Sequence, residues 1–108
     1  MESNNKQVKI AMGQINVIPG DPRANTQKML RFVEKAKKQN ADIVIFPELC
    51  IPGYMIGDMW ERTDFLKECE QCGIQIKNAA ENIIIVFGNI AMDWNKKNED
   101  GRVRKYNA

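Results

Sequence analysis

The sequence predicts an α/β layered fold with a parallel central portion, and three observations carry that prediction. Two short runs, Ile43-Val44-Ile45-Phe46 and Ile83-Ile84-Ile85-Val86-Phe87, are apolar at every position, as expected of strands covered on both faces. Two longer segments repeat their apolar residues at the three- and four-residue spacing of a helix. The resulting order is β, α, β, loop, α, β and then a β-hairpin, in which crossover connections bring the strands side by side.

The first strand is expected within Val8–Ile15, with Val8, Ile10 and Met12 on one face. The run Ile18-Pro-Gly-Asp-Pro then turns the chain. Asp21 can cap a helix and Pro22 suits its first turn, where no amide partner is lost. Met29, Phe32, Val33 and Ala36 form the apolar stripe of that helix. Lys35, Lys37 and Lys38 lie where the helix dipole favours cations, and Asn40 is the expected stop. The buried strand Ile43–Phe46 ends at Pro47, which cannot donate to a ladder. A loop from Glu48 to Arg62 follows, then a second helix on the stripe Phe65, Cys69, Cys72, Ile76 and Ala79. After the strand Ile83–Phe87, Asn95–Gly101 reads as a polar turn and Arg102–Asn107 as a short strand. Two helices cover one face of such a sheet well, so material is expected to be missing from the other.

The 108 residues are 44% hydrophobic and 28% charged, the balance of a folded globular domain. A formal charge of +2, with lysines scattered rather than interleaved with aromatic residues, gives no sign of a nucleic-acid surface. No apolar run approaches the roughly twenty residues that span a bilayer, and Met1–Gln7 is too polar to start a secretory signal. A cytoplasmic location is expected, with no membrane partner. Three cysteines then imply free thiols rather than a disulfide framework. The absence of histidine excludes Ser-His-Asp and Cys-His catalysis and His-containing metal sites from this segment, so any base here is a carboxylate or an amine.

Functional groups of open α/β sheets gather beyond the carboxyl ends of the strands, and Glu48 falls there. A carboxylate held directly after a buried strand and a proline is expected to be partly desolvated, with a raised pKa that suits it to accept a proton. A solvated loop glutamate is the alternative reading. Cys50, two residues on, points to the same side as Glu48 if the chain is extended, although a packed side chain is the favoured reading. Cys69-Glu-Gln-Cys72 has redox-motif spacing. It lies mid-helix on the apolar stripe, which favours core packing, and two thiolates without histidine are too few for a structural zinc.

Read together, Gln14-Ile-Asn16, Gly20-Asp21, Asn25, Phe46-Pro-Glu-Leu-Cys-Ile-Pro-Gly-Tyr54, Asp58, Arg62, Gly88-Asn89 and Tyr106-Asn-Ala resemble the nitrilase superfamily of carbon-nitrogen hydrolases. Within it, the Gln14–Asn25 start and the Gly53-Tyr54…Asp58…Arg62 extension look most like the glutaminase domain of glutamine-dependent NAD synthetases. The resemblance implies an α-β-β-α sandwich and a Glu-Lys-Cys triad for amide hydrolysis, of which Glu48 matches the glutamate. Tyr54 matches a tyrosine that lines the glutamine pocket. The family's lysine and cysteine fall after Ala108, so residues 1–108 are expected to be the N-terminal part of one such domain, inactive alone. Lys105 precedes the matching position and reads as a solvated strand lysine.

The resemblance also implies glutamine as the substrate of the parent, with ATP and Mg used by a synthetase domain, and no cofactor or metal in this segment. A stand-alone nitrilase-family amidase and a non-catalytic, self-associating module are the alternatives. An incomplete sheet invites self-association or a complementing fragment. Asp58 and Arg62 form either a helical ion pair or part of a pocket mouth that meets neighbouring subunits. Met55, Ile56, Met59 and Trp60 are expected to gain some burial, with Trp60 packed in the core as a further possibility.

Overall fold

A computed structural model describes residues 7–108; residues 1–6, the greater part of the polar start, lie outside the described residues. The order is β1 (Ile10–Met12), α1 (Pro22–Lys38), β2 (Ile43–Ile45), a 3-10 turn (Gly57–Glu61), α2 (Thr63–Ala79), β3 (Ile84–Val86), β4 (Ile90–Lys97) and β5 (Val103–Asn107). Strands β1, β2 and β3 form a parallel sheet in that order, and β4 and β5 pair as an antiparallel hairpin.

The expected punctuation of α1 is observed. Asp21 caps it by accepting the Ala24 amide at 3.1 Å, and Pro22 opens its first turn. At the other end Asn40 takes a left-handed φ of 61°, while the Asn40 and Ala41 amides return to the Lys37 and Ala36 carbonyls. These two bonds satisfy carbonyls that a helix end otherwise leaves unpaired.

Sheet register explains where the core sits. Ala11, Val44 and Ile85 align across the strands on the face that packs against both helices, with Val44 fully buried. Met29, Val33 and Ala36 of α1 meet Phe65, Leu66, Cys69, Cys72 and Ile76 of α2 over that row. Phe46 joins it and stacks edge-on against Phe32, ring centres 5.8 Å apart. The alternate rows, Ile10-Ile43-Ile84 and Met12-Ile45-Val86, face away from the helices. Ile43 and Ile45 are only half-buried, and Ile84 is 60% exposed. The expectation of strands buried on both faces is therefore corrected: among the described residues, one face is covered and the other presents an apolar surface. The cause is the one anticipated, two helices on a single side.

The elements differ in extent from their predicted ranges. β1 covers only the middle of Val8–Ile15: the Gly13 amide still donates to the Ile45 carbonyl at 2.7 Å, but the Gln14 and Ile15 amides turn back on the Met12 and Gly13 carbonyls. β4 runs through Asn95 to Lys97, so the polar turn is confined to residues 98–101, with the Gly101 amide donating to the Asn98 carbonyl. Polarity there reflects an exposed strand end rather than a turn. The hairpin is fastened to α2 by the Trp94 indole, which donates to the Glu70 carboxylate at 3.1 Å, and by the Asn89 amide, which donates to the Cys69 carbonyl at 2.9 Å.

Candidate active site

Glu48 stands beyond the carboxyl end of β2, on a loop whose path is fixed from below. The buried Asn25 side chain accepts the Ile18 amide at 2.7 Å and donates to the carbonyls of Ile18 and Ile51, each at 2.8 Å. One side chain on α1 thus ties the turn before the helix to the loop after β2. The Gly20 amide adds a bond to the Pro52 carbonyl at 2.9 Å, and the Gly53 amide closes a turn on the Leu49 carbonyl at 2.8 Å. Gly88 presses from the other side. A Cβ there would stand 2.8 Å from the carbonyl carbon of Glu48 and 2.9 Å from its Cα, so only glycine permits this approach.

Leu49 adopts a left-handed φ of 48°, a conformation non-glycine residues rarely take. It breaks the extended path on which Glu48 and Cys50 share a side. Cys50 is instead fully buried, its Sγ 3.7 Å from the Met29 sulfur and 3.4 Å from the Gly88 carbonyl, and burial pushes its thiol pKa up. A Glu48–Cys50 pair is not formed, and the packed reading holds.

The Glu48 carboxylate is exposed and held by two neutral donors. The Tyr54 hydroxyl donates to Oε1, and the Asn107 amide donates to Oε2 at 2.9 Å. These bonds favour the charged form, Tyr54 contributing most and Asn107 next, and they outweigh the small effect of burial. The Glu48 pKa is consequently lowered, which corrects the expected rise: hydrogen bonding, not desolvation, dominates at this exposed carboxylate. The same bond raises the pKa of the half-exposed Tyr54. Beside the pair opens a cavity of about 280 Å³ lined by Leu49, Trp60, Ile90, Lys105, Tyr106 and Asn107, largely apolar with one cation.

That cation is not the solvated strand lysine expected of Lys105. Its side chain is only 16% exposed, with Nζ 3.5 Å from a Glu61 oxygen and 2.9 Å from the Val103 carbonyl. Arg102 meets the same Glu61 oxygen at 3.5 Å, which ties the 3-10 turn to β5. Of the two readings of Asp58 and Arg62, the helical ion pair is not formed. A 3-10 turn has three residues per turn, so positions four apart do not stack, and Arg62 pairs with Asp64 at 2.8 Å. Of the apolar loop residues, Ile56 is buried, Met59 and Trp60 are partly buried, and Met55 is 96% exposed. Trp60 packs edge-on against Phe65 at 6.2 Å while also lining the cavity.

Cys69 and Cys72 are buried, reduced core residues of α2. Burial, with smaller contributions from Cys72 and Glu68, pushes the Cys69 thiol up to about 12, the opposite of an activated thiolate. Among the described residues no three His, Cys, Asp or Glu side chains converge as a metal site, and no helix is long and apolar enough to cross a membrane. Asn107 had been only one letter in a family-like string. Its contact with Glu48 spans 59 positions of sequence and has no local signal.

Glu48 is thus a carboxylate at a strand end, fixed by two neutral donors beside a small, largely apolar cavity. Residues 9–108 match the family model described as carbon-nitrogen hydrolase, and the chain belongs to that family. Over 83 residues it is 39% identical to the glutamine-dependent NAD(+) synthetase of Acinetobacter baylyi, an alignment covering 77% of this chain and 15% of that protein. The structure of glutamine-dependent NAD+ synthetase from Acinetobacter baumannii superposes with a TM-score of 0.74 at 35% identity, over 93% of this chain and 18% of the other. The NitN amidase from Neterenkonia sp. AN1 shares the fold, with a TM-score of 0.69 at 20% identity over 94% of this chain and 44% of the amidase. The chain thus spans about 15% of the length of the curated synthetase it matches.

Proposed function

We propose that this chain provides the base-bearing part of a glutamine amidohydrolase site, of the kind that supplies ammonia for ATP-dependent NAD formation. The observation that carries the reading is the Glu48 carboxylate, ionised and fixed by Tyr54 and Asn107 at the mouth of a small cavity. The sequence similarity to glutamine-dependent NAD(+) synthetases supports the substrate class.

In this reading Glu48 takes the proton of a cysteine thiol and the thiolate attacks the amide carbon. A lysine ammonium stabilises the oxyanion that forms, ammonia leaves with the proton returned by Glu48, and water then hydrolyses the thioester to release glutamate. The cysteines of this chain do not serve as that nucleophile, since Cys50 is turned into the core and Cys69 and Cys72 are buried in α2. The thiol therefore comes from outside these 108 residues, and in this reading so does the lysine, while ATP and Mg belong to a separate synthetase step and the setting is cytoplasmic. The apolar face of the sheet supports association with further polypeptide on that side.

The test compares ammonia release from glutamine by the complete hydrolase and by its Glu48→Gln variant. A general base contributes roughly a hundred- to ten-thousand-fold, and a loss in that range is expected. The 108-residue chain alone is expected to release none above a Glu48→Ala control. Full activity in the Glu48→Gln hydrolase would overturn the assignment.

A further inference from the structure

We infer that Asn107 is a positioning residue for Glu48, which together with Tyr54 fixes the plane of the carboxylate by binding its two oxygens from opposite partners. The inference rests on the proposed role of Glu48 as a base and adds how that base is held.

Three observations support it. The first is that Asn107 itself is anchored. Asn107 pairs with Ile90 in the β4–β5 ladder, Ile90 is buried, and the Asn89 and Ala108 amides exchange hydrogen bonds at 2.9 and 3.0 Å at the hairpin's base. With its backbone fixed in this way, Asn107 presents a side-chain donor of defined direction to a loop 59 residues earlier in the chain.

The second is the chemistry of the donor. A carboxamide N–H stabilises a carboxylate without bringing a charge and cannot take up the proton that Glu48 accepts. Only the amide nitrogen fits toward Oε2, since two acceptor oxygens would repel. A cation in the same place would lower the carboxyl pKa further and weaken the base.

The third is how the neighbouring cation is handled. Lys105 lies two positions before Asn107, and alternation places both on the same side of β5. Its ammonium is turned to Glu61 at 3.5 Å and to the Val103 carbonyl at 2.9 Å, while Arg102 meets the same Glu61 carboxylate. The hydrogen bonds that reach Glu48 thus come from Tyr54 and Asn107, both neutral, while the cavity's cation is balanced by Glu61.

The experiment follows the Glu48 side-chain carboxyl by carbon-13 NMR across an acid titration of the protein. The Asn107 side-chain amide nitrogen is followed in the same samples. In the unsubstituted protein both resonances are expected to titrate at one pH. The Glu48 pKa is expected to rise in Asn107→Leu, which removes the donor, and to rise further in Asn107→Asp, which adds a second carboxylate. Backbone amide shifts of β4 and β5 verify that the hairpin is intact. In the complete hydrolase, Asn107→Leu is expected to move the acid limb of kcat/KM to higher pH while KM changes less than twofold.

A Glu48 pKa unmoved in Asn107→Leu with an intact hairpin overturns the inference. So does an Asn107 amide that fails to titrate with Glu48, a result that needs no variant. Activity retained in Glu48→Gln would instead overturn the proposed function, so the failures of the two readings are told apart.

Discussion

Gly88→Ala tests how tightly the backbone around Glu48 is set. The added methyl would lie 2.8 and 2.9 Å from two backbone atoms of Glu48, and it would press still harder on the Leu49 nitrogen. Ordinary carbon contacts begin near 3.4 Å, so the Glu48 backbone must retreat by about half an ångström and Leu49 by more. Neither neighbour is the far end of a flexible side chain, so the strain falls on the loop held by Asn25 and on the Cys50 contact with Gly88. Overpacking of this kind costs about 1–3 kcal/mol. Urea unfolding should show that loss as a lower midpoint with an unchanged slope. The same displacement should loosen the two hydrogen bonds on Glu48 and let its pKa rise toward the ordinary value near 4.5. A Gly88→Ala protein with unchanged stability and an unchanged Glu48 titration would refute the claim that glycine is required there.

Asn25→Leu should cost about 2 kcal/mol or more in denaturant unfolding, because it strands the buried Ile51 carbonyl and the part-buried Ile18 amide, while the Ile18 carbonyl keeps the Asp21 amide at 3.3 Å. Glu48 has a lowered folded pKa, so it adds stability above its unfolded value that is lost as pH falls through the folded one. Stability measured downward from pH 5 should therefore decline less steeply in Glu48→Gln than in the unsubstituted protein. Thiol labelling at pH 8 should find Cys50, Cys69 and Cys72 all protected in the native state and all reactive in urea, since each is buried with a raised pKa. Val44→Ala should destabilise the 108-residue chain by about 2 kcal/mol, whereas Val86→Thr on the open face should cost under about 0.5 kcal/mol.

What could be read from the sequence was local. Asp21, Pro22 and Asn40 mark α1 because capping and left-handed stops are properties of single residues and their immediate amides. Pro47 and the apolar run before it placed Glu48 at a strand end, which the structure repeats. What could not be read depends on partners distant in sequence. The left-handed Leu49, which separates Glu48 from Cys50, goes with the close approach of Gly88 to its nitrogen and the Gly53 amide on its carbonyl, not with any preference of leucine. The direction of the Glu48 pKa shift follows from Tyr54 and Asn107, neither of which is visible in the two residues on either side of it. Lys105, as a strand lysine with alternating neighbours, reads as solvated, while its acidic partner Glu61 comes from a 3-10 turn that the loop composition conceals.

The span of 59 residues between Glu48 and Asn107 also bears on the order of folding. Contacts between distant positions carry a larger loop-closure cost than local ones, so they tend to form late. A chain in which β1, α1 and β2 have assembled already displays Glu48, within reach of Tyr54 six residues on but without its Asn107 donor. The second oxygen gains its donor only when the hairpin docks on α2. The Glu48–Asn107 bond is thus a natural reporter of completed folding, and its formation should lag behind that of the α1–α2 core in a stopped-flow refolding experiment.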